Sequence, residues 1–130
     1  MEIRDMNIMF PGDTRMTAEI DGVLVHTGGE DEPSPFDLFL VSIGTCAGSK
    51  VLRFCQERNI SSAGLNIKQR MFFNPDRNMF EKIELIIDLP PGFPTKYYDA
   101  VIRVANTCGV KRHLVDPPEI VVSTVVHEGR

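Results

Sequence analysis

Three thiols, Cys46, Cys55 and Cys108, give this sequence its nucleophilic and redox chemistry. A cysteine reacts as its thiolate, so a working one needs a group that favours the negative sulfur. Cys46 and Cys55 stand nine residues apart in a stretch that reads as helix. At about 100° per residue they point to opposite sides and cannot pair. Cys108 closes a second helical stretch and is the better partner for Cys46. Lys50 and Arg53 follow Cys46 at i+4 and i+7, on its own face, where a cation favours the thiolate. The plain alternative is that these are core residues, since free cysteine is among the most buried residue types. Spacing alone favours that reading for the pair, and favours it more strongly for Cys55, which sits beside Val51, Leu52 and Phe54. An odd count without a CxxC argues against a disulfide scaffold or a structural zinc. His26, His113 and His127 are scattered, and no metal site is expected from them.

The element that must carry Cys46 is one long helix beginning at Ser34. Ser34 suits the N-cap, Pro35 the first helical position, and Asp37 the capping-box position beside the positive helix end. Phe36, Leu38, Phe39, Leu40, Val41 and Ile43 make its first half apolar on nearly every side, the mark of a buried helix. Around Cys46 the residues turn small: Ser42, Gly44, Thr45, Ala47, Gly48 and Ser49. Two glycines inside a helix each cost about 1 kcal/mol against alanine, so another backbone is expected close to this point. It would come from the same chain or from a second subunit.

Before this helix the sequence predicts a short strand over Asn7 to Phe10, a turn at Pro11-Gly12-Asp13, and a hairpin of Met16 to Ile20 with Val23 to His26 about Asp21-Gly22. After it, Leu65, Ile67, Gln69, Met71 and Phe73 alternate on one strand. A turn at Asn74 to Asn78 leads to a second strand carrying Ile83, Leu85, Ile87 and Leu89. Thr95 is placed to cap a second helix whose stripe runs Tyr98, Val101, Ile102, Ala105 and Cys108, with Gly109 as its stop. Asp116-Pro117-Pro118 breaks the chain before a last β-branched strand over Ile120 to Val126. Helices covering sheet faces in this order make an α+β fold.

At 130 residues, 42% apolar and 25% charged, a single globular domain over 1–130 is expected. A net charge of −4 gives no basic footprint, so no nucleic-acid partner is expected. No unbroken apolar run of membrane-spanning length and no signal-peptide pattern appear, so the expectation is a cytoplasmic protein with no membrane partner.

The run Ser34-Pro35-Phe36-Asp37-Leu38-Phe39-Leu40-Val41-Ser42-Ile43-Gly44-Thr45-Cys46, followed by Ala105-Asn106-Thr107-Cys108-Gly109-Val110, resembles the OsmC/Ohr family of osmotically induced and organic hydroperoxide resistance proteins. The resemblance runs over essentially the whole chain and is nearest to the short OsmC-like branch. It implies an intertwined homodimer in which antiparallel sheets draw strands from both subunits, two main helices serve each chain, and the long cysteine helices pack at the centre. It implies active sites at the subunit interface and a thiol peroxidase that needs no cofactor. Cys46 would attack an organic hydroperoxide, Cys108 would resolve the sulfenic acid as a disulfide, and an external dithiol would reduce it. The family's arginine has its nearest match in Arg15, with Arg4 and Arg53 as alternatives. Phe36 and Phe39, with Met71 and Phe73, would wall an apolar substrate pocket. The chain departs from the peroxidases at Phe36, where they carry a glutamate that orients the arginine. Asp37, or Glu30, Asp31 and Glu32 of the preceding loop, are the carboxylates near that position. The departure keeps open a second reading: a non-catalytic dimer that senses redox state or holds a small hydrophobic ligand.

Overall fold

A computed structural model describes residues 1–127. The chain forms two compact units, one of Met1–Thr45 with Ile67–Ile87, the other of Cys46–Asn66 with the chain from Asp88 onward. In the first unit, β1 (Asn7–Gly12), β2 (Arg15–Ile20) and β3 (Val23–Thr27) make an antiparallel sheet in that order. The Asp21-Gly22 hairpin forms as expected. Ile20 pairs with Val23, and both turn residues have positive φ, at 50° and 80°. The first turn is corrected: Gly12 pairs with Arg15, so Asp13 and Thr14 make the turn, and a bulge between Met9 and Gly12 absorbs the register shift. β4 (Asn66–Asn74) and β5 (Met79–Asp88) form a two-stranded sheet. In their turn the Asn74 side chain accepts the Asp76 amide at 2.9 Å, an Asx-turn.

α1 (Pro35–Glu57) runs through both units. Its start is a reciprocal cap. Ser34 Oγ accepts the Asp37 amide at 3.0 Å, and Asp37 Oδ2 accepts the Ser34 amide at 3.4 Å. Asp37 is thereby a capping residue. Ser34→Ala is expected to cost about 1 kcal/mol of unfolding free energy in urea titration. The helix ends in a Schellman motif: Ile60 N–H reaches Cys55 O at 2.9 Å, Asn59 N–H reaches Gln56 O, and Asn59 takes φ 55°.

The expectation that the first half of α1 is buried all round is corrected. Leu40 is buried, whereas Phe36, Phe39 and Val41 are exposed, Phe36 by 53%. α1 is also long and apolar enough to cross a membrane by length and composition, a test that core helices of soluble proteins pass as well. At Gly44 the close neighbour is a side chain and not a backbone. A methyl group there would meet Gln69 Oε1, while Gln69 Nε2 donates to Leu40 O at 2.9 Å. Gln69 thus packs its amide from β4 into the gap that the missing side chain leaves.

In the second unit the buried stripe of α1 is Ala47, Val51, Phe54 and Cys55, at i, i+4, i+7 and i+8. Phe93, Val101 and Cys108 are the other buried residues of this unit, and Phe54 meets Tyr97 edge-on at 5.3 Å. A 3-10 turn over Thr95–Tyr97 leads into α2 (Tyr98–Ala105). Thr95 is not a cap: Pro94 holds the N-cap position and no side chain bonds the free amides.

The second helix is shorter than its apolar stripe implied. It ends at Ala105, and Gly109 opens a separate helix, α3 (Gly109–Val115), instead of stopping the first. The strand expected over Ile120 to Val126 is not formed. The segment has no ladder partner among the described residues, and Val122 is 88% exposed. A β-branched run becomes a strand only where another strand accepts its N–H and C=O groups.

Candidate active site

Cys46 sits in α1, half-buried, one residue before the buried Ala47. Cys108 is buried at the N-cap of α3, with extended backbone (φ −64°, ψ 146°) and its sulfur accepting the Lys111 amide at 3.4 Å. The first amides of a helix have no partner within it, and in α3 these belong to Gly109 and Val110, the residues after the Cys108 cap. The Val110 amide lowers the Cys46 pKa most strongly, burial partly opposes it, and the Cys108 thiol, the Gly109 amide and the Lys50 ammonium lower it further. The net direction is down from the ordinary thiol value, so the thiolate is favoured. Hydrogen bonds to an anionic acceptor are the stronger kind. A thiol whose anion is favoured in this way is the reactive form of cysteine.

Cys46 and Cys108 are therefore the sequence-predicted pair that the structure brings together. Lys50 acts on Cys46 as its i+4 position implied, and Arg53 does not contribute. The residues that sequence reasoning missed are Gly109 and Val110, whose role belongs to the main chain. No signal in their residue types could have revealed it, because any side chain leaves the main-chain amide in place. Cys55 is 1% exposed, and burial pushes its thiol pKa up against the opposing Arg58 charge. In native protein Cys55 is expected to resist iodoacetamide while Cys46 is carboxamidomethylated, which peptide mapping reads directly. Labelling of Cys55 at the Cys46 rate would contradict this placement.

The other candidates lie in the first unit. Arg15 is exposed at the start of β2, with its Cδ over Gly29, where the Glu32 carboxylate also arrives. Glu32 Oε1 accepts the Gly29 amide at 3.0 Å. Among the described residues no carboxylate oxygen lies within 4.0 Å of the Arg15 guanidinium. Arg4 is engaged elsewhere, in an exposed pair with Asp21 at 2.6 Å. Phe36 stacks on Phe80 with ring centroids 5.9 Å apart and tilts against Phe39 at 5.4 Å, and Phe73 meets Phe80 edge-on at 5.1 Å. The position where a carboxylate would orient an arginine is thus built into an aromatic cluster. His26 Nδ1 pairs with Thr17 Oγ1, and His113 Nδ1–H donates to Gly109 O at 2.6 Å, so both rings are held locally.

The family model of the OsmC-like proteins matches residues 28–123. No curated protein matches the chain. Among solved structures, an Aquifex aeolicus protein superposes with a TM-score of 0.74 at 18% identity, over 90% of each chain. A Psychrobacter arcticus protein, assigned to osmotic stress induction and the detoxification response, gives 0.70 at 19% identity over 86% of this chain and 88% of its own. An OsmC-like protein from Mycoplasma pneumoniae gives 0.66 at 17% identity over 89% of each. These likenesses fix an α+β fold. With a matched span that contains both Cys46 and Cys108, the chain belongs to the OsmC-like protein family.

Proposed function

We propose that this protein is a cysteine-based thiol peroxidase for organic hydroperoxides, working in the cytoplasm as a homodimer. One observation carries the reading: the Val110 and Gly109 amides, the Cys108 thiol and the Lys50 ammonium all lower the pKa of the half-buried Cys46 thiol. The Cys46 thiolate attacks the distal oxygen of ROOH, the O–O bond breaks, and the departing RO⁻ takes a proton to leave as the alcohol. Cys46 is left as a sulfenic acid. The Cys108 sulfur then attacks the Cys46 sulfur, water leaves, and a disulfide remains. An external dithiol restores both thiols by exchange and departs as its own disulfide. No metal or organic cofactor enters these steps. Arg15 serves as the cation that polarises the peroxide, and Phe36 and Phe39 as apolar walls for its organic group.

Family members are typically dimeric. Dimerisation of this chain is supported by its exposed apolar surface: the Ile120–Val126 segment, Ile8 and Phe10 of β1, and Phe36 and Val41 of α1. Burying such surface yields roughly 25 cal/mol per Å². The test of function is dithiol-dependent consumption of cumene hydroperoxide by the purified protein. Sustained turnover supports the reading, and none above the dithiol blank opposes it.

A second reading is favoured by one observation, the stacking of Phe36 on Phe80 where the peroxidases hold their glutamate. In that reading the dimer binds a small hydrophobic molecule, or switches its thiols without turnover. It expects ligand-dependent stabilisation of the fold in protein that leaves the hydroperoxide unconsumed.

A further inference from the structure

α3 is a helix of seven residues, and none of them is buried. Isolated helices shorter than about 12 residues are marginal in water, and α3 has no buried stripe to make up the difference. Its start is held by a sulfur. Cys108 is the N-cap residue, and the Lys111 main-chain amide donates to its Sγ at 3.4 Å. This is the bond from cap to third helical residue that a serine or aspartate oxygen usually provides. The other side-chain ties are His113 Nδ1–H to Gly109 O at 2.6 Å and Lys111 Nζ to Asn106 Oδ1 at 2.5 Å, both made by exposed residues. Cys108 differs from them in being 3% exposed. One buried thiol therefore holds the start of a helix that lies on the surface.

We infer that Cys108 is a redox-dependent cap: its thiol sulfur holds α3 in the reduced protein, and the Cys46–Cys108 disulfide releases it. The oxidation joins the two sulfurs, both thiol protons leave, and the two electrons pass to the hydroperoxide, which departs as alcohol and water. A disulfide holds its Cβ–S–S–Cβ dihedral at roughly 90°, so the Cys108 sulfur is then placed by its bond to α1 and no longer by the Lys111 amide. That amide loses its partner at the start of a helix with no buried residue, and segments of that kind are the first to open. The state of a buried thiol is thereby displayed at the exposed residues Lys111–Val115. This rests on the disulfide chemistry proposed above, and it adds to it a change in the fold that follows oxidation.

The experiment is amide hydrogen exchange of the full chain, reduced and as the disulfide, with α2 and α3 followed separately. The disulfide is made once with an equivalent of cumene hydroperoxide and once with diamide, which takes up both thiol hydrogens as its hydrazine and needs no peroxidase. The α3 amides, Lys111 first, are expected to exchange faster by about 5-fold in the disulfide form, the size of a lost cap, while α2 stays unchanged. Cys108→Ser keeps a capping oxygen and forms no disulfide, so its α3 should stay protected in the presence of either oxidant. Cys108→Ala should show the fast exchange of α3 while still reduced, with α2 as the check that the fold stands. Equal α3 exchange in the reduced and disulfide forms would overturn this inference alone, and so would an α3 already unprotected in the reduced protein. A disulfide that forms with diamide but not with the hydroperoxide would overturn the peroxidase reading, and the exchange of that disulfide form would still decide the cap. No Cys46–Cys108 disulfide with either oxidant would overturn both.

Discussion

Cys46→Ser is expected to reduce hydroperoxide consumption to the level of the dithiol blank, whereas Cys108→Ser is expected to complete one attack and then stop. The asymmetry follows from the site. The amides of Val110 and Gly109, the Cys108 thiol and Lys50 act on the sulfur of Cys46, and they favour it as an anion. A serine hydroxyl in the same place stays protonated and cannot displace an alkoxide. With Cys108→Ser the nucleophile is intact, so one equivalent of alcohol per chain should appear. Cys46 then remains as sulfenic acid and, with further peroxide, climbs to the sulfinic state. Mass shifts on the Cys46 peptide separate these products. Full turnover by Cys46→Ser would sink the assignment of the nucleophile, and full turnover by Cys108→Ser would sink that of the resolving thiol.

The lowered pKa of Cys46 also fixes a sign for pH dependence. The folded state favours the thiolate, so the site contributes stability that is fully present above the ordinary thiol value of about 8.5. That contribution is lost as pH falls through the lower folded value. Reactivity follows the same direction and persists below the pH at which a free thiol would fall silent.

Gly28→Ala is expected to be the most damaging single substitution outside the thiols, costing on the order of 3 kcal/mol. Gly28 takes φ +83°, which strains any residue with a Cβ, and that Cβ would run into the Thr14 carbonyl oxygen. The obstacle is backbone and cannot swing aside. The same residue is tied on both sides, its amide to Pro33 O at 3.0 Å and its carbonyl to Thr14 Oγ1 at 2.6 Å. It thus joins the turn before Arg15 to the loop that delivers α1. A chain of this length loses roughly 4 °C of Tm per kcal/mol, so thermal melting should show a fall of about 10 °C. A midpoint within two or three degrees of wild type would contradict the strain argument. Gly44→Ala makes the contrast: its neighbour is the end of the flexible Gln69 side chain. The lost Gln69–Leu40 bond is then largely offset by the helix propensity of alanine.

What the sequence made legible was local chemistry. The Asp21-Gly22 hairpin, the Ser34/Asp37 cap and the β4–β5 turn all rest on contacts within a few residues, and all formed as expected. That Cys108 and Lys50 would act on Cys46 was also legible, the lysine from its i+4 position on the same helix. The parts that were not legible depend on partners distant in sequence. Nothing in Gly109-Val110 marks two main-chain amides as groups that lower the pKa of a thiol in another helix. The Tyr98 to Cys108 stripe continues at helical spacing although the backbone breaks after Ala105, since periodicity does not register a change of helix axis. Ile120 to Val126 has strand composition, but a ladder needs a second strand. The apolar girth of α1 was read as burial, while the single chain covers only one stripe of it.

The most direct test of the central claim is peptide mapping of native protein after brief exposure to one equivalent of an organic hydroperoxide. The account predicts an intrachain Cys46–Cys108 disulfide formed with release of the alcohol, and Cys55 still reduced. Three thiols that remain reduced while the hydroperoxide survives would contradict it.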